Sequence, residues 1–371
     1  PESRKLTLAT GEKRKLALHL RAEMGQVEIL SNPAGADVSI DGKTQGKTPL
    51  SLSLLGVKHQ VTLSRKGYRS VTKSLLPSGK KSTLLDVTLR NEQSAKLAEA
   101  KKTYRNSIGM EFKLFTPSAF TMGAARHEKG QRANEFVRDI DLQKPFYAGL
   151  KEVTVNQYSK FKKNTASASS GNYPVTMISW LEAAEFCNWL SKSEQLKPFY
   201  LIRNGQLAGI DRESDGYRLL SEAEWEWLAR KAGRKQQTIF TWGNEYVVPP
   251  ASGNIADESA RNAVNVFVAN YNDGYEKLAP VGSFPPDRAG LFDVTGNVSE
   301  WVHDYYSLVP PAKKTVEVDP LGDAMGTNHV IKGSSWRSGT LTELRASFRD
   351  GAVDGRQDTG FRVARYLYGG P

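Results

Sequence analysis

The chain has 371 residues, of which 39% are hydrophobic and 25% are charged. This composition, together with 32 Gly, is typical of soluble globular domains and excludes a wholly disordered chain. The length allows two or three domains. Charged residues interrupt every apolar stretch, so no segment reaches the ~20 apolar residues of a membrane-spanning helix. We expect any membrane attachment to come from an anchor or signal peptide that precedes Pro1.

The positive charge is concentrated before residue 105. The whole chain has 51 Lys and Arg against 40 Asp and Glu, which gives a net charge of +11. Residues 1–104 hold 19 basic and 9 acidic residues and therefore account for +10 of this charge. Such a module could meet an acidic polymer or a membrane surface, although a solvated face of alternating strands explains the same charge. Nucleic-acid binding is not expected, because Tyr68 is the only aromatic residue before Tyr104.

Residues 23–91 predict a small all-β domain. Their segments alternate apolar and polar side chains with a period of two, and Gly- and Pro-rich turns separate them. Residues 1–22 show a similar alternation, and a shift of 69 residues places Leu16 on Leu85. We therefore interpret residues 1–22 as the C-terminal remnant of a preceding repeat, with chance similarity between Leu-rich strands as the alternative.

The turns of residues 23–91 follow an order that resembles PEGA domains. The resemblance is carried by PAGA at 33–36, VSIDG at 38–42, GKTP at 46–49 and KGY at 66–68. It implies a β-sandwich-like module, common in bacterial surface and periplasmic proteins, with an adhesive or spacing role. It implies no chemistry.

Residues 92–105 predict a helical linker to a further domain. The segment is rich in strong helix formers, and Glu92 and Lys96 form an i, i+4 pair. All seven Trp follow residue 106, so we expect a separate domain at 106–371. Within it, Ser221 begins a capping box at the start of a helix.

Residues 106–371 contain a series of motifs that resembles the formylglycine-generating enzyme, or sulfatase-modifying factor, superfamily. The series includes FTMG at 120–123, LSEAEWEWLAR at 220–230, GLFDVTGNVSEW at 290–301, KGSSWR at 332–337 and GFRVAR at 360–365. The resemblance implies an α+β domain of C-type-lectin-like fold with long ordered loops. The expected fold class is therefore all-β PEGA structure followed by this α+β domain.

The positions that carry the family's chemistry hold other residues here. The family's oxidases bind copper between two cysteine thiolates, and soft sulfur ligands are what Cu(I) requires. The matching positions are Ser338 and Glu343. The only cysteine, Cys187, lies on an apolar helix stripe and is expected to be inert. The five His lack the spacing expected for the family's iron-dependent branch, so we expect neither copper nor iron and predict a pseudoenzyme.

The resemblance also implies one or two structural calcium ions. Calcium prefers hard oxygen ligands on bent loops. Carried over position by position, the first site uses the side chains of Asn254 and Asp273 with the carbonyls of Ile255 and Tyr275. The second site uses the side chains of Asp293 and Glu300 with the carbonyls of Gly296 and Val298. Loop-capping Asx turns or salt bridges are the alternative role for these acids.

In the family's enzymes, the loops around the cysteine positions line a peptide groove, which the resemblance places here at 303–329 and 336–360. A mixture of aromatic side chains and Arg is typical of binding hot spots. The predicted partner-binding residues are Tyr305, Tyr306, Trp336, Arg337, Ser338, Glu343, Arg345, Arg349 and Arg356. Alternatively, Trp336 and the arginines nearest to GFRV are core residues.

These features predict a non-catalytic binding protein of the bacterial envelope, located in the periplasm, whose partner is another protein. Relatives without the cysteine pair that act as immunity proteins against type VI secretion toxins favour a secreted toxin as that partner. Two alternatives stay open. One is a formylglycine-generating-type oxidase or maturase with an unrecognised site, and the other is a cell-wall or glycan adhesin.

Overall fold

The computed structural model describes residues 9–11, 13, 23–163, 171–310 and 315–369. The chain forms two compact units that are divided between Ala98 and Glu99. The repeat remnant predicted at 1–22 lies outside the described residues, apart from four positions, and stays a prediction. None of the described helices has both the length and the apolar character needed to span a bilayer.

The first unit is built from strands in two sheets. The strands are β1 (Met24–Asn32), β2 (Asp37–Ile40), β3 (Lys43–Lys47), β4 (Leu50–Leu55), β5 (His59–Arg65), β6 (Tyr68–Leu75) and β7 (Thr83–Thr88). One sheet has the order β4-β1-β7, and the other has the order β3-β2-β5-β6. Alternate residues of both sheets, among them Val27, Val38 and Val61, meet in one core. The all-β prediction for this part of the chain is confirmed.

A helix, α1 (Glu92–Glu99), follows these strands. The chain then extends into β8 (Thr103–Arg105), which pairs antiparallel with β9 (Glu111–Phe115) of the second unit. The prediction of a helical linker that continues to residue 105 is therefore wrong for residues 100–105, of which 103–105 form a strand. Strand pairing outweighs helix propensity at these residues because Tyr104 stacks on Phe112 of the second unit, with ring centroids 5.0 Å apart.

The described part of the second unit is mostly β structure with short helices. Its further strands are β10 (Phe120–Met122), β11 (Arg138–Asp141), β12 (Phe146–Gly149), β13 (Tyr200–Arg203), β14 (Gln206–Ile210), β15 (Tyr217–Leu219), β16 (Ser299–Tyr305), β17 (Glu317–Val318), β18 (His329–Lys332), β19 (Arg349–Ala352), β20 (Thr359–Phe361) and β21 (Val363–Tyr366). Its helices are α2 (Val155–Tyr158), α3 (Trp180–Ser193), α4 (Glu222–Arg230) and α5 (Leu341–Leu344).

Two larger sheets carry this unit. The first has the order β15-β21-β12-β9-β8, and the second has the order β19-β18-β16-β20. A smaller sheet, β10-β11-β17, and the hairpin β13-β14 complete it. Between Arg230 and Ser299 the chain forms turns and bridges without a helix or strand. This long loop region contains most of the predicted calcium ligands.

Helix α4 is buried along its whole length, including its charged residues. The capping box predicted at Ser221 is confirmed. Glu222 accepts two hydrogen bonds from Arg349, and Glu226 forms an ion pair of 2.9 Å with Lys332. Because each buried carboxylate meets a cation, the helix can lie inside the domain and tie the second sheet to it.

Candidate functional site

The first predicted calcium set is brought together in the loop region. The Asp273 carboxylate accepts a hydrogen bond from the Ile255 amide at 2.9 Å and another from the Tyr275 amide at 2.8 Å. Asn254 directly precedes Ile255 and is fully buried. The four residues therefore come from two segments of the loop region that lie side by side, as the family resemblance implies.

Asp257 joins this set, although the sequence reasoning missed it. Its buried carboxylate accepts a hydrogen bond from the Asp273 amide. The single proton of the Ser259 hydroxyl can be donated either to this carboxylate or to the Tyr275 carbonyl, which lies 2.9 Å from the hydroxyl oxygen. Burial and, in the same direction, the negative charge of Asp257 raise the pKa of Asp273 to about 6. Two acids thus share a partly desolvated corner of the loop. The only signal for Asp257 in the sequence is its position three residues after Asn254.

The amide of Asn254 is satisfied on one side only. Its Nδ2 donates to the Lys277 carbonyl at 2.7 Å and to Asn297 Oδ1 at 3.2 Å. Its Oδ1 is buried, and no donor among the described residues reaches it. An unpaired buried acceptor is costly, so this oxygen fits the role of a cation ligand.

The second predicted set is only partly built as expected. Asp293, at φ +58°, accepts a hydrogen bond from the Gly282 amide at 2.6 Å through Oδ2, whereas its buried Oδ1 has no partner among the described residues. Burial raises the pKa of Asp293 to about 6. The carboxylate of Glu300 instead accepts hydrogen bonds from Arg362, at 2.7 Å, and from the indole N–H of Trp225, at 2.9 Å.

Buried Glu152 stands beside this second set and was also missed. Its carboxylate accepts hydrogen bonds from the Val298 amide at 3.2 Å and from Asn297 Nδ2 at 2.7 Å. Burial raises its pKa well above the ordinary value, and the charges of Asp293 and Glu300 act in the same direction. Three acids therefore lie in one region that Arg362 neutralises only in part.

The two predicted sets adjoin through Asn254 and Gly296, which form a β-bridge. The Asn254 carbonyl accepts the Asn297 amide at 2.7 Å. A Cβ atom at Gly296 would lie 1.9 Å from that carbonyl oxygen, so only glycine fits. Among the residues that the structure describes, no three His, Cys, Asp or Glu side chains converge as a metal cluster. A cation in these loops would therefore depend on amide and carbonyl oxygens as well.

Ser338 and Glu343, which the sequence resemblance assigns to the family's cysteine positions, have local structural roles. The buried Ser338 hydroxyl accepts the Ser335 amide at 3.0 Å. Glu343 closes a capping box with Thr340 at the start of α5. Cys187 is buried in α3, and burial raises the pKa of its thiol. The described site thus presents no thiolate.

The predicted partner-binding face is corrected at four residues. Trp336, Ser338, Arg345 and Arg349 are buried inside the domain, so a partner cannot reach them in this conformation. Arg345 is held by Glu135, at 2.5 Å, and Arg349 by Glu222. The sequence around these two arginines contains no acid that pairs with them, so they were predicted to lie on the surface. The acids that neutralise them, Glu135 and Glu222, lie far away in the chain.

The other predicted partner-binding residues reach the surface to different degrees. Arg337 and Arg356 are exposed, and Arg356 pairs with Asp350 at 3.0 Å. Tyr305, Tyr306 and Glu343 are half-buried. The ring of Tyr305 stacks on His329, with centroids 4.1 Å apart. These five residues stay a prediction as a binding surface.

Comparison with protein families agrees with both resemblances. Residues 111–367 match the sulfatase-modifying factor enzyme 1-like domain, and residues 24–93 match the PEGA domain. The chain belongs to the sulfatase-modifying factor enzyme 1-like family. The second unit of this family member therefore carries the family's domain, and the first unit is its PEGA domain.

Two curated relatives and one solved structure illustrate the range of the family member's similarities. The formylglycine-generating enzyme of Thermomonospora curvata is 31% identical over 173 residues, which are 44% of this chain and 45% of the relative. The inactive C-alpha-formylglycine-generating enzyme 2 of Mus musculus is 28% identical over 170 residues, which are 44% of this chain and 37% of the relative. The chain thus spans less than half of the length of these relatives. Treponema denticola variable protein 1 has a similar fold, with a TM-score of 0.56, 22% identity, and coverage of 71% of this chain and 98% of that one.

Proposed function

We propose that this chain is a non-catalytic family member that acts by binding another protein. The observation that carries the proposal is the absence of a sulfur pair. The sequence has one cysteine, buried in α3, and Ser338 and Glu343 stand where the family resemblance places the copper ligands. Hydroxyl and carboxylate oxygens are poor ligands for Cu(I). The similarity to an inactive mouse relative supports the proposal, since the family includes members without activity.

Within this proposal, the chain is a periplasmic immunity protein and its partner is a secreted toxin. Neutralisation requires only that a surface of the toxin be covered, so it needs no turnover. The PEGA domain would present the second domain from the envelope. We assign that domain a C-type-lectin-like fold, whose long loops, such as residues 231–298, offer a variable surface for recognition.

We also propose a structural calcium ion in the first loop set. Asn254 Oδ1, the Asp273 carboxylate, and the carbonyls of Ile255 and Tyr275 would hold it, with Asp257 beside them. The unpaired Asn254 Oδ1 supports this assignment. When bound, the ion supplies positive charge that neutralises the two acids and holds the loop ends together. The second set fits less well, because Arg362 already occupies the carboxylate of Glu300.

The catalytic part of the proposal is tested by turnover. The purified chain is incubated with Cu(I), oxygen and a cysteine-containing peptide, and both oxygen uptake and peptide aldehyde are measured. We expect neither to rise above the protein-free rate, whereas the Thermomonospora curvata enzyme provides the positive control. Copper-dependent aldehyde formation by this chain would overturn the proposal and restore the oxidase alternative.

The binding part is tested with the purified product of the neighbouring gene. We expect a stoichiometric complex on size exclusion and protection of cells that express this product in the periplasm. A neighbour that is harmless, or that forms no complex, would remove the immunity role. Sedimentation of the chain with purified peptidoglycan would instead favour the adhesin alternative.

The calcium part is tested by thermal unfolding with added calcium or chelator. A ligand present at about 100 times its Kd stabilises the folded state by about 2.7 kcal/mol, so calcium should raise the Tm. Asp273→Asn should abolish this shift, and the exposed Asp354→Asn should keep it. An equal shift in both variants would contradict the assigned loop.

A further inference from the structure

A cavity of about 550 Å³ opens in the second unit beside the end of β16 and strand β17. It lies outside the calcium loops and outside the former cysteine positions. Its lining holds five carboxylates, from Glu222, Asp304, Glu317, Asp319 and Asp323, against three guanidinium groups. The size is that of a pocket for a small molecule or a long side chain.

Two of the three arginines are already neutralised. Arg138 forms a two-pronged pair with Glu317, at 2.8 and 2.6 Å. Arg349 forms another with Glu222, at 2.7 and 2.9 Å. The remaining lining charges are three carboxylates against Arg212, which is exposed. When all of these carboxylates are ionised, the cavity therefore has an excess of two negative charges.

Asp304 provides the buried carboxylate of this cavity. Asp304 is only 2% exposed, yet it lines the opening. Oδ2 accepts the amide of Glu222 at 2.8 Å, while Oδ1 accepts no hydrogen bond from any described residue. Burial and, in the same direction, the charge of Glu222 raise the pKa of Asp304 to about 7. One oxygen of this nearly buried acid is therefore available to a donor that enters the cavity.

Part of the rim of the cavity is formed by exposed apolar side chains. Val309 is 75% exposed and Val318 is 55% exposed, and both line the opening together with Tyr305. A long basic side chain suits this combination, because its aliphatic stem covers apolar surface while its charged end reaches a carboxylate. A bare metal ion suits it less, since the described residues contain no cluster of three acidic or His ligands.

We propose that this cavity binds the side chain of an Arg or Lys from the protein partner, with Asp304 Oδ1 accepting its hydrogen bond and Val309 packing against its stem. The inference rests on the proposed binding function and names the chemistry of the partner's anchor. It also explains how the chain can bind a protein although Arg345 and Arg349 are buried. In the proposed ion pair, the partner supplies the basic side chain and this chain supplies the carboxylate.

The experiment titrates the full chain with Nα-acetyl-arginine methylamide and Nα-acetyl-lysine methylamide, followed by NMR or calorimetry. Nα-acetyl-citrulline methylamide is the neutral control of nearly equal shape. We expect saturable binding of at least one cationic probe, at least tenfold tighter than that of the citrulline probe. Asp304→Asn should weaken it at least tenfold.

A second pair of variants keeps the test clear of folding defects. Val309→Lys places a competing cation at the rim and should abolish binding, whereas Val247→Lys, at a residue that is 81% exposed and away from the cavity, should leave it unchanged. Equal binding of citrulline, displacement of the cationic probe by calcium, or binding that survives Val309→Lys would overturn the inference. None of these outcomes alters the turnover test, so failure of the cavity and failure of the non-catalytic role are distinguishable.

Discussion

Replacing buried His303 with Gln should make the second domain more resistant to acid relative to the original chain. His303 lies among the rings of Phe199, Tyr200 and Trp180. Burial lowers its pKa to about 3, and the positive charge of Arg218 acts in the same direction. In the unfolded chain a histidine takes up its proton near pH 6.5.

The sign follows from which state binds the proton. Between pH 6.5 and pH 3 the unfolded state holds a proton on His303 that the folded state lacks, so stability is present above pH 6.5 and falls as the pH drops. One unit of pKa difference corresponds to about 1.4 kcal/mol. From pH 7 to pH 4.5, His303 therefore costs the folded domain about 2.5 kcal/mol. His303→Gln should lose about that much less over the same interval.

The assay is urea unfolding at both pH values, followed by Trp fluorescence. All seven Trp lie after residue 106, so the signal reports the second domain alone. Contributions of other groups, including His329, occur in both proteins and cancel in the comparison. The exposed His127→Gln is the control and should keep the acid sensitivity of the original chain. An equal loss of stability in His303→Gln and the original chain would refute the reasoning.

Three further experiments test the packing around the site. The Cys187 thiol should react with a thiol reagent only after unfolding, because it is buried and its pKa is raised; labelling of the native chain would contradict this placement. Gly296→Ala should destabilise the domain by more than about 3 kcal/mol, since its Cβ would meet the Asn254 carbonyl. Gly274→Ala, at a similar positive φ but with open space, should cost only about 1 to 2 kcal/mol, and equal costs in urea unfolding would contradict the close approach. Arg362→Met should cost about 3 to 5 kcal/mol because it leaves buried Glu300 without its partner. Arg356→Met breaks a half-exposed pair and should cost less than about 1 kcal/mol, so comparable losses in the two variants would show that Glu300 is not desolvated as described.

Features that depend on neighbouring residues were predictable from the sequence. The period-two strands of the first unit and the capping box at Ser221 arise from local backbone preferences and local hydrogen bonds, and both are present. The residues of the first calcium set were placed by the family resemblance, and the structure brings Asp273 to the amides of Ile255 and Tyr275. Whether an ion binds there stays a prediction.

Features that depend on distant partners were not predictable. Arg345 and Arg349 have the sequence surroundings of a surface hot spot, yet Glu135 and Glu222 draw them inside the domain. Residues 103–105 have helix formers before them, yet pairing with β9 makes them a strand. The roles of Asp257 and Glu152 likewise come from contacts made by the folded loops. In each case a long-range contact outweighs the local preference.

The buried helix α4 has a consequence for the order in which this domain can be assembled during synthesis. Arg349 lies 127 residues after Glu222, and Lys332 lies 106 residues after Glu226. When α4 leaves the ribosome, Glu222 therefore has no cation to meet and Glu226 has only Arg230, so water is the better environment for these carboxylates. We expect the helix to stay exposed to water until β18 and β19, which contain Lys332 and Arg349, have been synthesised. A chain truncated before residue 332 should therefore fail to bury α4 inside the domain, even when all of the preceding segments are present.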